Sequence, residues 1–285
     1  MTVCKRTDTK RTVMNNMTVR IIVAVIAAPV ILYTPFLGMS YFASFLFIIS
    51  FLGAKEIYSF YKGRHVHLNP LSIYLTSLVP IVFFAGGFEL SAEYVLLISF
   101  ILFGTEIFRG RDRSSNISSG YTLMIIYCGL FPATLLGAVS DTTPMTFIFI
   151  YGVIIATDSF AYFGGLGCSK LFRTHKLLER ISPKKTIEGS VSGLIFGALA
   201  GFLIWRFTGI SIIFTLEQAI ILSVVISVFG QIGDLFESML KRDFGVKDSS
   251  NIIPGHGGIL DRFDSLIFVS PAVYLYINYL INKGA

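Results

Sequence analysis

The 285-residue, 31.5 kDa chain is 54% hydrophobic and only 14% charged, with a mean hydropathy of +0.73 and a formal net charge of +6. An ordinary soluble domain carries roughly 25% charged residues; too little polar surface is present here to face water all round, and disorder, collagen and a disulfide-stapled miniprotein are excluded by the same figures. The 27 Phe and 13 Tyr suit lipid-facing and interfacial surfaces, while Cys4, Cys128 and Cys168 lack the CxxC spacing of a thiolate metal cage.

The chain opens on a basic stretch, 1–19, ahead of an apolar run. Ala27 and Ala28 come too early in that run for a signal-peptide cleavage site, so it reads as a retained first span. A helix crossing the hydrocarbon layer needs roughly 20 mostly apolar residues. Nine segments qualify: 20–37, 40–60, 70–88, 91–108, 119–140, 144–165, 187–207, 214–237 and 262–282. Helices are the forced choice, because backbone polar groups in hydrocarbon must be satisfied internally, and runs such as 147–156 lack the period-two alternation of a barrel strand. The fold class is therefore an all-α polytopic membrane protein.

Charge tests the span count. With nine spans, 21 of the 23 Lys and Arg fall on one side, leaving only Arg206 and Lys283 on the other. The positive-inside rule then puts the N-terminus in the cytoplasm and the C-terminus opposite. It predicts a multi-pass protein of the inner (cell) membrane whose basic face suits anionic headgroups or phosphorylated substrates rather than nucleic acid. Organisation follows: a tail over 1–19, an N-terminal transmembrane scaffold over 20–142, and a catalytic region over 143–285 that carries the polar residues.

Ionisable residues within spans are costly and are functional candidates by default. Asp158 lies in the sixth span, near Tyr162. Asp234 and Glu237 share a face near the end of the eighth, and Asp261 and Asp264 open the ninth with the same spacing. Between the sixth and seventh spans, residues 182–189 place Lys184 and Lys185 just before a helix start, where Ser182 or Thr186 can cap and free N–H groups attract anions. Gly189, Gly193, Gly197 and Gly201 then form a stripe that permits close helix contact, preferably packing within the chain, with a homodimer seam as the alternative. The run 238–264 combines glycines 255, 257 and 258, the cations Lys241, Arg242, Lys247 and Arg262, and His256 as a capping group or phosphate donor. Asp234 and Asp261 are hard oxygen ligands suited to Mg²⁺, which commonly binds one or two carboxylates plus substrate phosphates. Together they indicate phosphoryl or nucleotidyl transfer, where positioning and charge neutralisation dominate.

These residues resemble the phosphatidate cytidylyltransferases, or CDP-diacylglycerol synthases. The resemblance is carried by Ser238, Lys241-Arg242, Lys247-Asp248, Pro254 through Gly258 with His256 and Gly257, and Asp261-Arg262-Phe263-Asp264. Supporting matches lie at Asp158 to Tyr162, 182–189, and Gly233-Asp234 with Glu237-Ser238, so the likeness covers about 155–265; the nine-span plan fits the rest. Residues 164–170 depart from it, with Cys168-Ser169-Lys170 where the family carries a glycine-lysine pair.

The resemblance implies the reaction CTP + phosphatidate → CDP-diacylglycerol + pyrophosphate with Mg²⁺ as cofactor, CTP and membrane lipid being the partners. By carry-over Asp234 and Asp261 hold metal with Asp264 in support, and Lys184, Lys185, Lys241, Arg242 and Arg262 contact phosphates. Catalysis then rests on Asp234, Asp261, Lys241 and Arg262. Ser238, Lys247, His256, Gly257 and Gly258 join the substrate site, with Asp158 and Tyr162 as pocket residues. The lipid's phosphate monoester has a second pKa of about 6–7, so the nucleophile is already ionised at neutral pH and no strong base is required. The closest alternative is a CTP-dependent polyprenol or dolichol-type lipid kinase. An ion-coupled transporter fits less well, since transporters place charges near the midplane between repeats.

Overall fold

The computed structural model describes residues 27–109, 114–171, 175–250, 252–253 and 257–283. A short apolar helix, α1 (Ala27–Leu37), turns at Gly38, whose φ of 129° only glycine adopts easily, into α2 (Met39–Gly63). Helices α3 (Leu71–Ser77) and α4 (Val79–Arg109) follow. Next comes a stack of α5 (Ser114–Leu123), a π-helical segment (Met124–Leu130) and α6 (Phe131–Ser140). The second half contains α7 (Pro144–Leu171), strands β1 (Lys176–Leu178) and β2 (Ser182–Thr186), and helices α8 (Ile187–Phe207), α9 (Leu216–Phe244) and α10 (Leu260–Asn282).

Seven helices among the described residues are long and apolar enough to cross a membrane, so the chain is an all-α polytopic membrane protein with one small two-stranded sheet. The third and fourth predicted spans meet inside α4. Gly86 and Gly87 leave helical geometry there, Gly87 at φ 69°. The Tyr94 hydroxyl donates to the Leu75 carbonyl at 3.0 Å and Asn69 Nδ2 to Thr105 Oγ1 at 3.4 Å, so the two arms run antiparallel about the glycine pair.

Two readings are corrected. The sixth span was expected to end at residue 165, but α7 continues to Leu171 and takes Cys168 with it. The polar segment before α8 contains an antiparallel hairpin, Lys176 opposite Thr186 and Leu178 opposite Ser182. The hairpin is tied to α8 by Glu188, which accepts from the His175 backbone N–H at 3.0 Å. Thr186 ends it as the N-cap of α8, its Oγ1 accepting from the Gly189 N–H at 3.1 Å. A capping box of Thr215 and Gln218 starts α9, and Gly245 at φ 71° ends it.

The glycine stripe of α8 packs inside the chain. A Cβ at Gly193 would stand 2.8 Å from the Thr157 carbonyl oxygen of α7, and one at Gly197 would stand 2.3 Å from both Thr157 Oγ1 and Ser227 Oγ of α9. Those two hydroxyls bond across the interface at 2.8 Å. Gly233 plays the same part between α9 and α10, where a Cβ would come within 2.6 Å of Phe268 Cβ and 2.9 Å of the Asp264 carbonyl oxygen. Close approach of backbones is what lets helices associate when lipid is as apolar as their side chains.

Gly197→Val should therefore lose roughly 2 kcal/mol or more of stability in detergent through overpacking. Gly63→Ala, whose Cβ meets nothing within 4 Å, should stay within about 0.5 kcal/mol of the parent. Thermal unfolding followed by the fluorescence of the single tryptophan, Trp205 in α8, reads both.

Candidate active site

Helices α9 and α10 are antiparallel neighbours joined by residues 245–259, and their meeting end gathers acids from four helices. Asp234 of α9 pairs with Lys185, the residue before the α8 cap, at 2.5 Å, and the Ser238 hydroxyl donates to its other oxygen at 3.5 Å. Asp158 of α7 and Asp264 of α10 lie within electrostatic reach of Asp234 and of Lys185. Asp264 also accepts the Ser265 backbone N–H at 2.7 Å. These groups border a cavity of about 560 Å³ lined by Asp158, Tyr162, Lys176, Lys184, Lys185, Ser190, Gln231 and Asp234. The cavity floor is fixed by Gln231, whose Nε2 donates to the Ser190 carbonyl at 3.3 Å and whose Oε1 accepts from the Ser190 hydroxyl.

A second cluster lies toward the end of α9. Lys241 bridges Glu237 at 2.5 Å, one turn back on its own helix, and Asp261 of α10 at 2.7 Å. The other Asp261 oxygen accepts the Ser249 N–H at 2.8 Å, the Ser249 hydroxyl at 2.9 Å and the Gly258 N–H at 2.8 Å. Both oxygens of Asp261 are thus engaged, and its side chain is only 6% exposed. Its work here is to hold the loop. Glu237 keeps one buried oxygen, Oε1, without a partner.

Sequence reasoning missed Glu56. It sits near the end of α2, buried at 2% exposure, and reaches across the bundle to the same loop. Its oxygens accept the Ser250 hydroxyl at 2.6 Å and the N–H groups of Ile259 and Leu260 at 2.8 and 3.0 Å. A carboxylate thereby caps the start of α10, where unpaired N–H groups favour negative charge. Glu56 is the one acid in the predicted 40–60 span, and that was the available signal. The fit is close, since a Cβ at Gly258 would lie 2.5 Å from Glu56 Oε1 and 1.9 Å from Ser249 Oγ.

The predicted residues therefore divide. Asp158, Tyr162, Lys184, Lys185 and Asp234 meet at the cavity, with Ser238 bonded to Asp234 and Asp264 alongside. Lys241, Asp261 and Gly258 form the second cluster, and Gly257, at φ 89°, pairs its carbonyl with the Ile253 N–H at 2.9 Å. Arg242, Lys247 and Arg262 are exposed, Arg262 within electrostatic reach of Tyr151. His256 lies outside the described residues. Asp234 and Asp261 engage different lysines and do not share a partner.

Among the described residues, no three His, Cys, Asp or Glu side chains are close enough to enclose a metal by themselves. Mg²⁺ seldom asks for that, since it usually takes one or two carboxylates and completes its shell with waters and phosphates. Asp234, 37% exposed at the cavity and beside Asp264, fits such a role, whereas Asp261, with its oxygens filled, does not in this arrangement. A cavity with carboxylates on one wall and Lys176, Lys184 and Lys185 on another can seat a polyphosphate together with a divalent ion.

Comparison with known proteins agrees. Residues 18–280 match the model of the cytidylyltransferase family. A protein of Staphylococcus saprophyticus named phosphatidate cytidylyltransferase is 34% identical over 265 residues, covering 92% of this chain and 99% of that one. One of the same name from Bacillus subtilis is 33% identical over 271 residues, covering 93% and 98%. The Staphylococcus aureus protein of that name is 32% identical over 268 residues, covering 92% and 99%.

Lys241→Met would strand Glu237 and Asp261, 4% and 6% exposed, without their shared cation. A loss of about 3–5 kcal/mol is expected, as for a buried pair deprived of one partner. Thermal denaturation in detergent should show a clearly lower midpoint, and hydrogen exchange should speed up at the Ser249 and Gly258 amides that Asp261 holds.

Proposed function

The chain belongs to the cytidylyltransferase family, and from that premise we infer that it transfers the cytidylyl group of CTP to phosphatidate, giving CDP-diacylglycerol and pyrophosphate. The observation that carries this reading is the cavity at the meeting of α7, α8, α9 and the β-hairpin, where Asp158 and Asp234 face Lys184 and Lys185 beside a bundle that spans lipid.

An oxygen of the lipid phosphate attacks the α-phosphorus of CTP, forming the new P–O bond as the bond from that phosphorus to the bridging oxygen breaks and pyrophosphate departs. The attacking monoester is already a dianion near neutral pH, so no proton needs to be removed. The obstacle is repulsion between two polyanions. Lys184 and Lys185 at the helix start, with Lys176 on the hairpin, supply positive charge along the cavity, and Arg242, Lys247 and Arg262 extend it at the surface. We assign Mg²⁺ as the cofactor, held by Asp234 with Asp264; when bound it supplies charge neutralisation at the phosphates. Asp261 and Lys241 keep the glycine loop at Gly257 and Gly258 in place, and Asp158 and Tyr162 border the nucleotide or lipid phosphate.

We further read nine spans, with the N-terminus in the cytoplasm and the site facing it in the inner membrane. The two antiparallel arms about Gly86-Gly87 and the short α1 support that count, and the one-sided lysines and arginines support the orientation.

Purified protein given CTP labelled at the α-phosphate, phosphatidate and Mg²⁺ should move label into extractable lipid and release pyrophosphate. Release of CDP with label remaining in water identifies a lipid kinase instead. Chelation should stop turnover and Mg²⁺ should restore it. Asp234→Asn should lower turnover roughly a hundredfold or more with an unchanged thermal midpoint. Near-normal rates in that variant remove the metal assignment.

A further inference from the structure

The acidic centre has a second side. Across α9 and α10 from the Lys185 cavity, a groove of about 480 Å³ runs between these helices and the stack formed by α5, the π-helical segment and α6. Its walls are Leu123, Ile126, Phe131, Phe236 and Phe268, and the hydroxyls of Ser119 and Thr122 stand at one end. That end lies where α9 stops. Tyr61 meets Ser119 Oγ through its hydroxyl at 3.2 Å, and its ring packs on Phe244 with centroids 4.9 Å apart. From residue 119 to 131 a helix rises about 18 Å, against half of a hydrocarbon layer of about 30 Å. The length of the groove is thus close to the depth of one leaflet.

Tyr127 forms the wall between this groove and the acids. It lies in the π-helical segment, a geometry that recurs at functional sites. Its ring meets Phe236 edge-on at 5.2 Å and Phe131 at 6.2 Å. The residue is 2% exposed, yet its hydroxyl has no hydrogen-bond partner. A buried phenol normally finds one. Asp264, Glu237 and Asp234 are all within electrostatic reach of it, and none of them accepts its proton. A donor so placed, beside acceptors it does not use, is set for one that arrives with a ligand.

We propose that this groove binds one acyl chain of the lipid phosphate substrate and that the Tyr127 hydroxyl donates to an oxygen of its glycerol-phosphate headgroup. The proposal rests on the phosphatidate reading above. Apolar walls reject a nucleotide or a peptide backbone, whose polar groups would lose water without replacement. The depth suits a chain from a single leaflet. Phe268 joins the groove to the acidic centre, because it packs on Gly233 next to Asp234.

Steady-state rates with dihexanoyl and dipalmitoyl phosphatidate, at saturating CTP and Mg²⁺, test it. Phe131→Trp fills the groove at the end away from Ser119 and Thr122. It should raise KM for the long-chain lipid roughly tenfold while leaving the short-chain KM and both kcat values unchanged. Tyr127→Phe should raise KM for both lipids roughly tenfold, the worth of a hydrogen bond to a charged group, with the CTP KM and thermal midpoint unmoved. In the unaltered protein, a diazirine at the end of the acyl chain should label Phe131 or Phe268. Equal effects of Phe131→Trp on both lipids, no effect of either variant, or labelling confined to other lipid-facing surfaces overturns the proposal. Should a variant fail to fold, the labelling decides. Absence of turnover with either lipid in the unaltered protein removes the phosphatidate reading, while labelling still tests the groove.

Discussion

A carboxylate at the edge of a hydrocarbon layer persists only where a cation or a row of N–H groups faces it, since an unpaired buried charge is far more costly than any single contact can offset. Six acids meet this condition at one end of the bundle, and they meet it differently. Glu56 is answered by two helix-start amides and a hydroxyl. Asp261 is answered by Lys241, two amides and a hydroxyl, and Glu237 by Lys241 through one oxygen. Asp158, Asp234 and Asp264 have among the described residues one shared lysine, Lys185. The first groups are closed and bind the loop. The last opens on a cavity that Lys176 and Lys184 also line, which is where a divalent ion and its phosphates belong.

What brings these side chains together is the absence of others. Gly189 and Gly193 press α8 against the α7 turn on either side of Asp158, a Cβ at Gly189 coming within 2.6 Å of the Ala161 carbonyl oxygen. Gly233 lets α9 lie on α10 immediately beside Asp234 and Asp264. Small residues set the helix spacing, and that spacing lets short aspartates from three helices share one lysine. Longer acids could span wider gaps, as Glu56 does from α2.

Much of this was legible in the sequence because it is local. Apolar length gave the span at α8 to the residue, whereas α7 and α9 run several residues past the ends of their apolar stretches; Thr186 was one of two candidate caps, and the four-residue glycine period predicted a packed face on α8. Register between helices is not local. Spacing of three showed that Asp234 shares a face with Glu237 and Asp261 with Asp264. It could not show which pair lies opposite which. Lys241 faces Asp261, and Gly233 faces Asp264, Ser265 and Phe268. In an antiparallel pair, Asp234 therefore falls beside Asp264, and Asp261 falls a turn or two away. Glu56 was missed for a related reason, since its partners are about 200 residues along the chain, at Ser250, Ile259 and Leu260.

The same register explains why the first half of the chain cannot be indifferent to the chemistry. Through Phe60 and Tyr61 packed on Phe244, and through Arg64 donating to the Asp243 carbonyl, α2 fixes where α9 ends. Through Glu56 it fixes where α10 begins. On α9, Gln231 and Asp234 look into the charged cavity, while Phe236, on the far side of the helix, looks into the apolar groove. The α9–α10 pair is thus a partition with polar chemistry on one side and hydrocarbon on the other. A substrate with a phosphate at one end and acyl chains at the other is matched by such a partition only at its edge, beside Asp234, Asp264 and Tyr127. Any shift of α9 against α10 would separate the two surfaces, so Glu56 and Lys241, which set that register, bear on the reaction without touching it.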